Sequence, residues 1–560
     1  MNFKKHILDL LKDYRLDESQ IEIPSNPEFG DYAFPCFTLS KELKKDPKTI
    51  AQELSRKLKP NKYIKEIKFV GPYLNFFVNR DILSENVLEQ VYREKEHFSE
   101  GEKKKEKVMV EFSSPNTNKP LHLGHLRNIS LGDSVSRTYD FLGYKVIKSC
   151  LVNDKGIHIC KSMLAYKKFG KNKKPDKKGD HFVGDFYVLY NQKLKEHPEM
   201  EKEAQEMLLK WENGDKETVE LWKKMNSWVY EGFDQTYKKL GIKFDKMYYE
   251  SDLYKHGKEI ILKAMESKKT FLEKKNGAII AKLEKYNIPD KVLIRADGTS
   301  IYMTQDIYLA KKKHDDYDFD SSVYVVGSEQ NLHFRQLFKI LELLGYAWAK
   351  KCYHLSYGMV FLPEGKMKSR EGTVVDADNI IEEMKNLAKD EIKKRFDLNE
   401  KELEKRAEII VMGALKFFLL KTDAGKDMTY DPKESISFEG ETGPYVQYTY
   451  ARICSIIRKH AEKIDNKIDY KVFNDKELEL IKQISNFKKT VESAAENYRP
   501  NIICRYLLDL SQSFNEYYHK YPVLKEEEEI KKARLLLISN IRQVLEIGLG
   551  LLGIEAPEEM

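Results

Sequence analysis

Cysteine is scarce and scattered: Cys36, Cys150, Cys160, Cys352, Cys454 and Cys504 are the only six in 560 residues, and no two form a C-x-x-C pair. That excludes a disulfide framework and a zinc knuckle, and it points to a reducing compartment. No apolar run reaches the ~18 residues that a membrane span requires. The opening MNFKKHILDLLKDYRLDESQ reads as a charged amphipathic helix rather than a cleavable signal. A large charge excess of either sign is also missing, since 97 Lys+Arg against 90 Asp+Glu leave +7. So mild a balance says little about partners. Internal repeats and long low-complexity tracts are absent. Aromatics are plentiful: 33 Tyr and 27 Phe exclude a disordered chain, which could not bury enough apolar surface to offset its conformational entropy. The length suits three or four domains of ~150 residues each.

Residues 1–100 form the first predicted unit. Helical spacing over Asn2–Tyr14 and Pro47–Leu58 flanks a Pro/Gly-punctuated loop, and IKFVGPYLNFFVN (67–79) alternates as strand–turn–strand. GEKKKEK (101–107) reads as a solvated linker. From KVMVEF (107–112) the pattern becomes strand, polar loop, helix to Leu142, strand (144–152) and helix, the order of a parallel α/β sheet. It resumes with a strand at 321–329, a helix over Asn331–Leu344 and a strand at 354–362. Between the halves lies a charged helical insertion, in which Trp222, Met225, Val229, Phe233, Tyr237 and Leu240 keep a helical period. Residues 161–180 carry eight lysines against two acids, as either a solvated face or an attractor of a polyanion. Beyond about Glu391 the strand signals cease, and helical periodicity predicts a bundle.

The chemistry sits in EFSSPNTNKPLHLGHLRN (111–128), where His122, Gly124 and His125 form H-x-G-H between a predicted strand and a predicted helix. Two imidazoles at a helix N-terminus can donate to phosphate oxygens, the glycine lets a nucleotide approach the backbone, and the helix dipole favours negative charge. Four letters alone are as readily two unrelated histidines at a cap. The second element is GKMKSREG (365–372), a basic loop after the last predicted sheet strand, where it can close over phosphates.

Together, in this order and each after a strand, the two elements resemble the HIGH and KMSKS signatures of class I aminoacyl-tRNA synthetases. More narrowly, the chain resembles the arginyl-tRNA synthetases from end to end. E-F-S-S-P-N before the histidines is similar to that family's arginine pocket. GPYLNFFVN resembles part of its N-terminal domain, and the stretch from GETGPYVQYTYARICSI through GLLGIEAPEEM resembles its anticodon-binding bundle. The resemblance implies a multidomain α/β protein with three parts. These are an N-terminal α+β domain (1–100) contacting the tRNA elbow, a Rossmann-type parallel-sheet catalytic domain (107–390) with a helical insertion at about 161–250, and a C-terminal all-α helix bundle (391–560) on the anticodon. It implies ATP-dependent activation of L-arginine to arginyl-adenylate and transfer to the 3′-terminal ribose of tRNA(Arg). Mg2+ would be bound through the ATP phosphates, with no zinc and no protein metal ligands. A monomer in the cytoplasm, away from membranes, is expected.

By the same resemblance, Lys119, His122, His125, Lys366 and Lys368 are the catalytic residues. His122, Gly124, His125, His333, Lys366 and Met367 are expected at ATP, and Glu111, Asn116, Tyr302, Asp306 and Gln330 at arginine. Tyr73, Asn75, Tyr445, Tyr448 and Arg452 are expected at tRNA, with Tyr517 and Tyr518 as further aromatics of the bundle. An acid suits the fork-shaped guanidinium, and Tyr302 and Asp306 share a helix face, though surface pairs do the same. His333 serves adenine or a cap, Asn153–Asp154 a ligand or an N-cap, and Tyr73 and Asn75 a splayed base or the sheet. One departure matters. Lys366-Met367-Lys368-Ser369-Arg370 puts Ser369 where the signature has its second lysine, and Lys119, Lys368 or Arg370 can supply the lost charge. Two other functions compete. A nucleotidyltransferase acting on a small cofactor precursor is opposed by the chain length, and a non-catalytic synthetase-like tRNA-binding protein by the intact pocket.

Overall fold

The computed structural model describes residues 3–560 apart from 25, 255, 268, 300, 362, 364–375 and 395. Two compact units emerge. One holds Met1–Ser99, Arg452–Lys488 and Asp509–Ile547, the other Glu100–Ala451, Lys489–Leu508 and Gly548–Met560.

The first unit opens with α1 (Phe3–Leu10), β1 (Tyr32–Pro35), α2 (Phe37–Leu43), α3 (Pro47–Lys57), β2 (Ile64–Val70), β3 (Tyr73–Val78) and α4 (Arg80–Glu94). Its antiparallel sheet has the order β1-β3-β2. Gly71, at φ 56°, makes the turn between β2 and β3 that the sequence predicts. Asp46 caps α3 ahead of Pro47, an N-terminal pairing in which the proline needs no N–H partner.

The second unit begins with β4 (Lys107–Glu111), α5 (Leu123–Phe141), β5 (Lys145–Val152), α6 (Ile157–Phe169), α7 (Gly179–Lys193), α8 (Met200–Glu212) and α9 (Lys216–Lys239). It continues through β6 (Lys246–Tyr249), α10 (Glu250–Leu253), α11 (Lys258–Glu266), β7 (Leu272–Lys275), β8 (Ala278–Ala281), β9 (Lys291–Ile294) and α12 (Tyr302–Tyr317). Then come β10 (Ser321–Gly327), α13 (Asn331–Leu344), β11 (Cys352–Tyr357), β12 (Val360–Phe361), α14 (Ala377–Lys393), α15 (Glu400–Lys421), β13 (Met428–Thr429) and α16 (Pro432–Ser435). Helices α17 (Gly443–His460), α18 (Asp475–Ser485), α19 (Phe487–Glu496), α20 (Asn501–Lys520) and α21 (Glu528–Leu551) end the chain, as the helical periodicity predicts.

A five-stranded parallel sheet in the order β11-β10-β4-β5-β6 organises the second unit. The winding direction reverses between β4 and β10, and in open parallel sheets ligands gather at the carboxyl edge of such a switch point. The H-x-G-H turn follows β4 at that edge. Two expectations are corrected. The single strand predicted over 354–362 is broken at Gly358, where a Cβ would lie 2.6 Å from backbone atoms of Lys426, and Val360–Phe361 pair with Met428–Thr429 instead of the main sheet. The antiparallel sheet β7-β8-β9 was not legible in the sequence, because four-residue strands such as LEKK carry no clear alternation.

Arg127 of α5 is fully buried. Its guanidinium donates to the carbonyls of Gly358 (2.8 Å), Lys426 (2.8 Å), Ala424 (3.2 Å) and Asp423 (3.3 Å), gathering both sides of the β12–β13 pair onto one helix. Arg127→Met should therefore strand several buried carbonyls. At ~1–3 kcal/mol for each unsatisfied group, urea unfolding should register a loss of at least about 2 kcal/mol, and unchanged stability would contradict this account.

Candidate active site

His122 is the N-cap of α5, with extended backbone at φ −129° and ψ 174°. Its Nδ1 accepts the Gly124 N–H (3.2 Å), and His125 Nδ1 accepts the His122 N–H (3.1 Å). The rings lie 3.9 Å apart, tilted by 38°. Histidines here perform the reciprocal capping usually done by Ser and Glu. Because each Nδ1 is an acceptor, each neutral ring carries its proton on Nε2, the atom left to donate to a ligand. Burial, and then the nearby Lys119 charge, pull the His122 imidazole down to about 3. Burial followed by His122 and Lys119 hold His125 well below its ordinary value. Both rings are thus neutral N–H donors at physiological pH. A Cβ on Gly124 would meet the His122 ring at 3.1 Å, so the glycine lets that ring fold over the first turn.

Lys119 is half-buried in the turn before α5, makes no ion pair among the described residues, and is shifted downward by burial. Leu121 O accepts the Ala377 N–H at 2.8 Å, and His122 bridges Asp376, so the start of α14 returns beside the histidines. Lys366, Met367, Lys368, Ser369 and Arg370 lie outside the described residues.

At the end of β4, Glu111 does not stand open for an amino group. Its carboxylate is paired with Lys313 Nζ of α12, both side chains being almost fully buried. Sequence reasoning missed Lys313, since nothing in KKKHDD marks which lysine turns inward. Beyond Glu111, Ser113 and Ser114 both adopt left-handed backbone (φ 74° and 46°), costing ~1–2 kcal/mol each. The Ser113 N–H donates to Asn128 Oδ1, the Ser113 hydroxyl meets the Tyr237 hydroxyl at 2.7 Å, and Asn128 Nδ2 donates to Val325 O at 2.6 Å. The loop is thereby shaped across the switch point, with Asn116 exposed and its backbone bridging Asn153. Asp154 is not the N-cap of α6. It is buried, accepting from Ser251 N (2.9 Å), Ser251 Oγ (2.7 Å) and Tyr230 OH (2.9 Å), and Gly156 is the N-cap of α6.

Between α12 and α13, Asp306 Oδ2 lies 2.6 Å from His333 Nε2. The histidine expected at adenine is thus bound to the acid expected at the guanidinium. Tyr302 is 75% exposed, and Gln330 is exposed in the short turn after β10. Glu250, the first residue of α10, was not singled out by its sequence. Burial chiefly lifts its carboxyl to about 7, with Lys155 opposing and Asp154 and Asp306 adding to the rise. A buried acid beside other acids would have its charge relieved by a nearby cation. The signal is positional, a carboxylate just past a sheet strand, and becomes visible only once β6 is known.

The residues expected at tRNA are unevenly presented. Tyr73 is 37% exposed and meets the 55% exposed Phe37 edge-on, with ring centroids 6.1 Å apart. Asn75, two residues beyond Tyr73 on the middle strand, is buried. Tyr445 and Tyr448 are half-buried, and Arg452 Nη1 donates to Asn515 Oδ1 at 2.5 Å. Tyr517 is buried with its hydroxyl on Glu477 (2.9 Å), which removes it as a stacking platform. In the lysine-rich stretch, Lys161, Lys167, Lys168, Lys173, Lys177 and Lys178 are ion-paired to acids nearby, in keeping with a solvated face.

Comparison with known proteins accounts for this arrangement along the chain. Residues 87–431 match the family model described as tRNA synthetases class I (R), catalytic domain. Residues 446–560 match the DALR anticodon binding domain, and residues 1–78 match the arginyl tRNA synthetase N terminal domain. The chain is 46% identical over 566 residues to the arginine–tRNA ligase of Treponema denticola, covering 97% of this chain and 95% of that one. It is 45% identical over 561 residues to that of Bacteroides fragilis, covering 95% and 94%. Among solved structures, a Thermus thermophilus arginyl-tRNA synthetase superposes with a TM-score of 0.85 at 29% identity, covering 100% of this chain and 99% of that one. Capping imidazoles after β4, at the switch point of a parallel sheet, and likeness of this extent in all three segments lead to one assignment: the chain belongs to the arginyl-tRNA synthetases, the arginine–tRNA ligases of class I.

Proposed function

We infer that the ligase reaction of this family runs in the crevice between β4 and β10, with the ATP phosphates at the N-terminus of α5 and the arginine side chain toward Asp306 and Glu250. The observation that carries this reading is the contrast of charge along one sheet edge. Neutral imidazole N–H donors and helix amides stand at one side, and half-buried acids at the other. In the first step an oxygen of the arginine carboxylate attacks the α-phosphorus of ATP and pyrophosphate leaves. In the second, the 3′-terminal ribose hydroxyl of tRNA(Arg) attacks the activated carbonyl and AMP leaves. The Nε2–H groups of His122 and His125 donate to phosphate oxygens, and Lys119 meets the charge developing on the α-phosphate and the leaving group. No protein nucleophile is required, since positioning and electrostatics suffice. The donors around this turn suit phosphate oxygen rather than a metal, so magnesium, arriving on ATP, would neutralise phosphate charge without protein ligands.

The same reading takes residues 1–100 to the tRNA elbow, with Tyr73 and its neighbour Phe37 as the aromatic pair open to a base. Residues 391–560 take the anticodon stem-loop, supported by the likeness of 446–560 to an anticodon-binding domain. The enzyme is read as a zinc-free, cytoplasmic monomer, and sedimentation of the purified chain tests the last point. Among the described residues no helix is long and apolar enough to cross a membrane.

Three measurements test the site. Lys119→Met should slow ATP–pyrophosphate exchange, run with arginine and tRNA, by ~10²–10³ with arginine affinity unchanged; a near-normal rate would move the charge elsewhere. Asp306→Asn removes a charge-assisted partner worth ~1.5–3 kcal/mol. It should weaken arginine binding roughly ten- to a hundredfold while ATP binding stays put, and equal losses for both would mean misfolding. Glu250 titrates at about 7 in the free protein and only its anion attracts a guanidinium, so arginine affinity should rise as pH climbs through that value. Calorimetry across the range should find that rise flattened in Glu250→Gln.

A further inference from the structure

Helix α7 meets the nucleotide-binding turn at two places that the reaction chemistry leaves unexplained. At Gly184 it runs so close that an added Cβ would lie 2.9 Å from Pro120 Cδ and 3.6 Å from Lys119 Cα. A proline ring atom is held by its own backbone and cannot swing aside as a flexible side chain would. About two turns earlier, Lys178 Nζ donates to Asp378 Oδ2 at 2.6 Å, and His181 Nε2 lies 3.0 Å from the same oxygen. His181 also lies 3.8 Å from Asp376 Oδ1. Asp376 and Asp378 open α14, the segment whose backbone bridges Leu121 and His122. Asp180, His181 and Asp378 have the spacing of a cation site, but Lys178 and Lys239 already bring positive charge to those carboxylates.

Helix α7 is itself fixed from behind. A Cβ at Gly179 would lie 2.0 Å from Trp228 O, and one at Gly232 would lie 2.4 Å from Asp180 Oδ1, so α7 and α9 touch backbone to backbone. Helix α9 in turn is tied to the end of β5, where Trp222 Nε1 donates to Asp154 O (2.7 Å) and Tyr230 OH to Asp154 Oδ2 (2.9 Å). A continuous chain of rigid contacts thus runs from the sheet edge through the insertion to the turn that carries Lys119.

We propose that α7 is a positioning element for adenylate formation, with Gly184 setting the depth of the Lys119–Pro120 turn and the Lys178/His181–Asp378 cluster setting the start of α14 beside His122. This rests on the reading of Lys119 and His122 as phosphate-binding residues. The test uses full-length enzyme in arginine- and tRNA-dependent ATP–pyrophosphate exchange, at a temperature where circular dichroism shows every variant folded. Displacing a reacting group by ~1 Å costs on the order of 10²-fold in rate. Gly184→Ala should therefore lower kcat at least tenfold while KM for arginine stays within twofold. Adding Pro120→Ala should recover most of the loss, because the atom met by the new methyl is gone. Asp378→Asn should show the same split between kcat and the arginine KM. A wild-type kcat in Gly184→Ala or Asp378→Asn, a parallel rise in the arginine KM, or no recovery with Pro120→Ala would each overturn the proposal. If Lys119→Met itself retains the wild-type rate, the underlying reading fails first, and the two failures are told apart.

Discussion

Carbonyl oxygens at the end of a strand must find donors once they leave water, and in the catalytic unit a single side chain provides for two such sets. The guanidinium of Arg127 takes carbonyls from Gly358 and from Asp423, Ala424 and Lys426. Arginine is suited to this because its planar fork offers several donors at fixed angles, and because it stays charged when buried. One turn upstream on the same helix stand His122 and His125, and the next residue, Asn128, shapes the loop after β4. The H-x-G-H turn, the β12–β13 pair and the loop that leads to Asn116 are therefore all referred to one helix. Phe112 packs so tightly on that helix that a Cβ at Gly132 would lie 2.3 Å from its ring, which leaves α5 little room to shift against the sheet.

Charge is distributed along the sheet edge by burial as much as by residue type. His122 and His125 are neutral because they are buried beside each other and beside Lys119, so they act as hydrogen-bond donors that do not titrate near neutrality. Glu111 is an acid whose charge is already matched, by Lys313. Asp154 is an acid spent on hydroxyls and an amide. Asp306 is bonded to His333, and the carboxyl of Glu250 is lifted to about 7 chiefly by burial, with the repulsion of Asp154 and Asp306 adding to the rise. A cationic side chain would relieve that repulsion, while a neutral one would leave it in place.

Where the sequence was legible, a local rule carried the information. The alternation of strand and helix from Lys107 to Leu344 announced the parallel sheet, and the switch point then followed from strand order. Histidines at a helix start could be read as a phosphate site because a helix N-terminus has free N–H groups wherever it occurs. Asp306 could be singled out only through resemblance, since Tyr and Asp four apart are ordinary helix neighbours. The exposure of other expected site residues was not legible. Tyr302 is exposed while Tyr517 and Asn75 are buried, and which way a residue faces depends on what packs against its element.

Composition, periodicity and two short motifs therefore determined the fold class and the order of the segments, because each depends on spacing within a few turns of chain. The tertiary structure alone decided the pairing of Lys313 with Glu111, the capture of Asp154 by Ser251 and Tyr230, the seat of Arg127 on four distant carbonyls and the approach of Gly184 to Pro120. Each of those contacts joins residues tens to hundreds of positions apart. Burial sets their strength by removing competing water, and no local pattern records which distant group will be brought near.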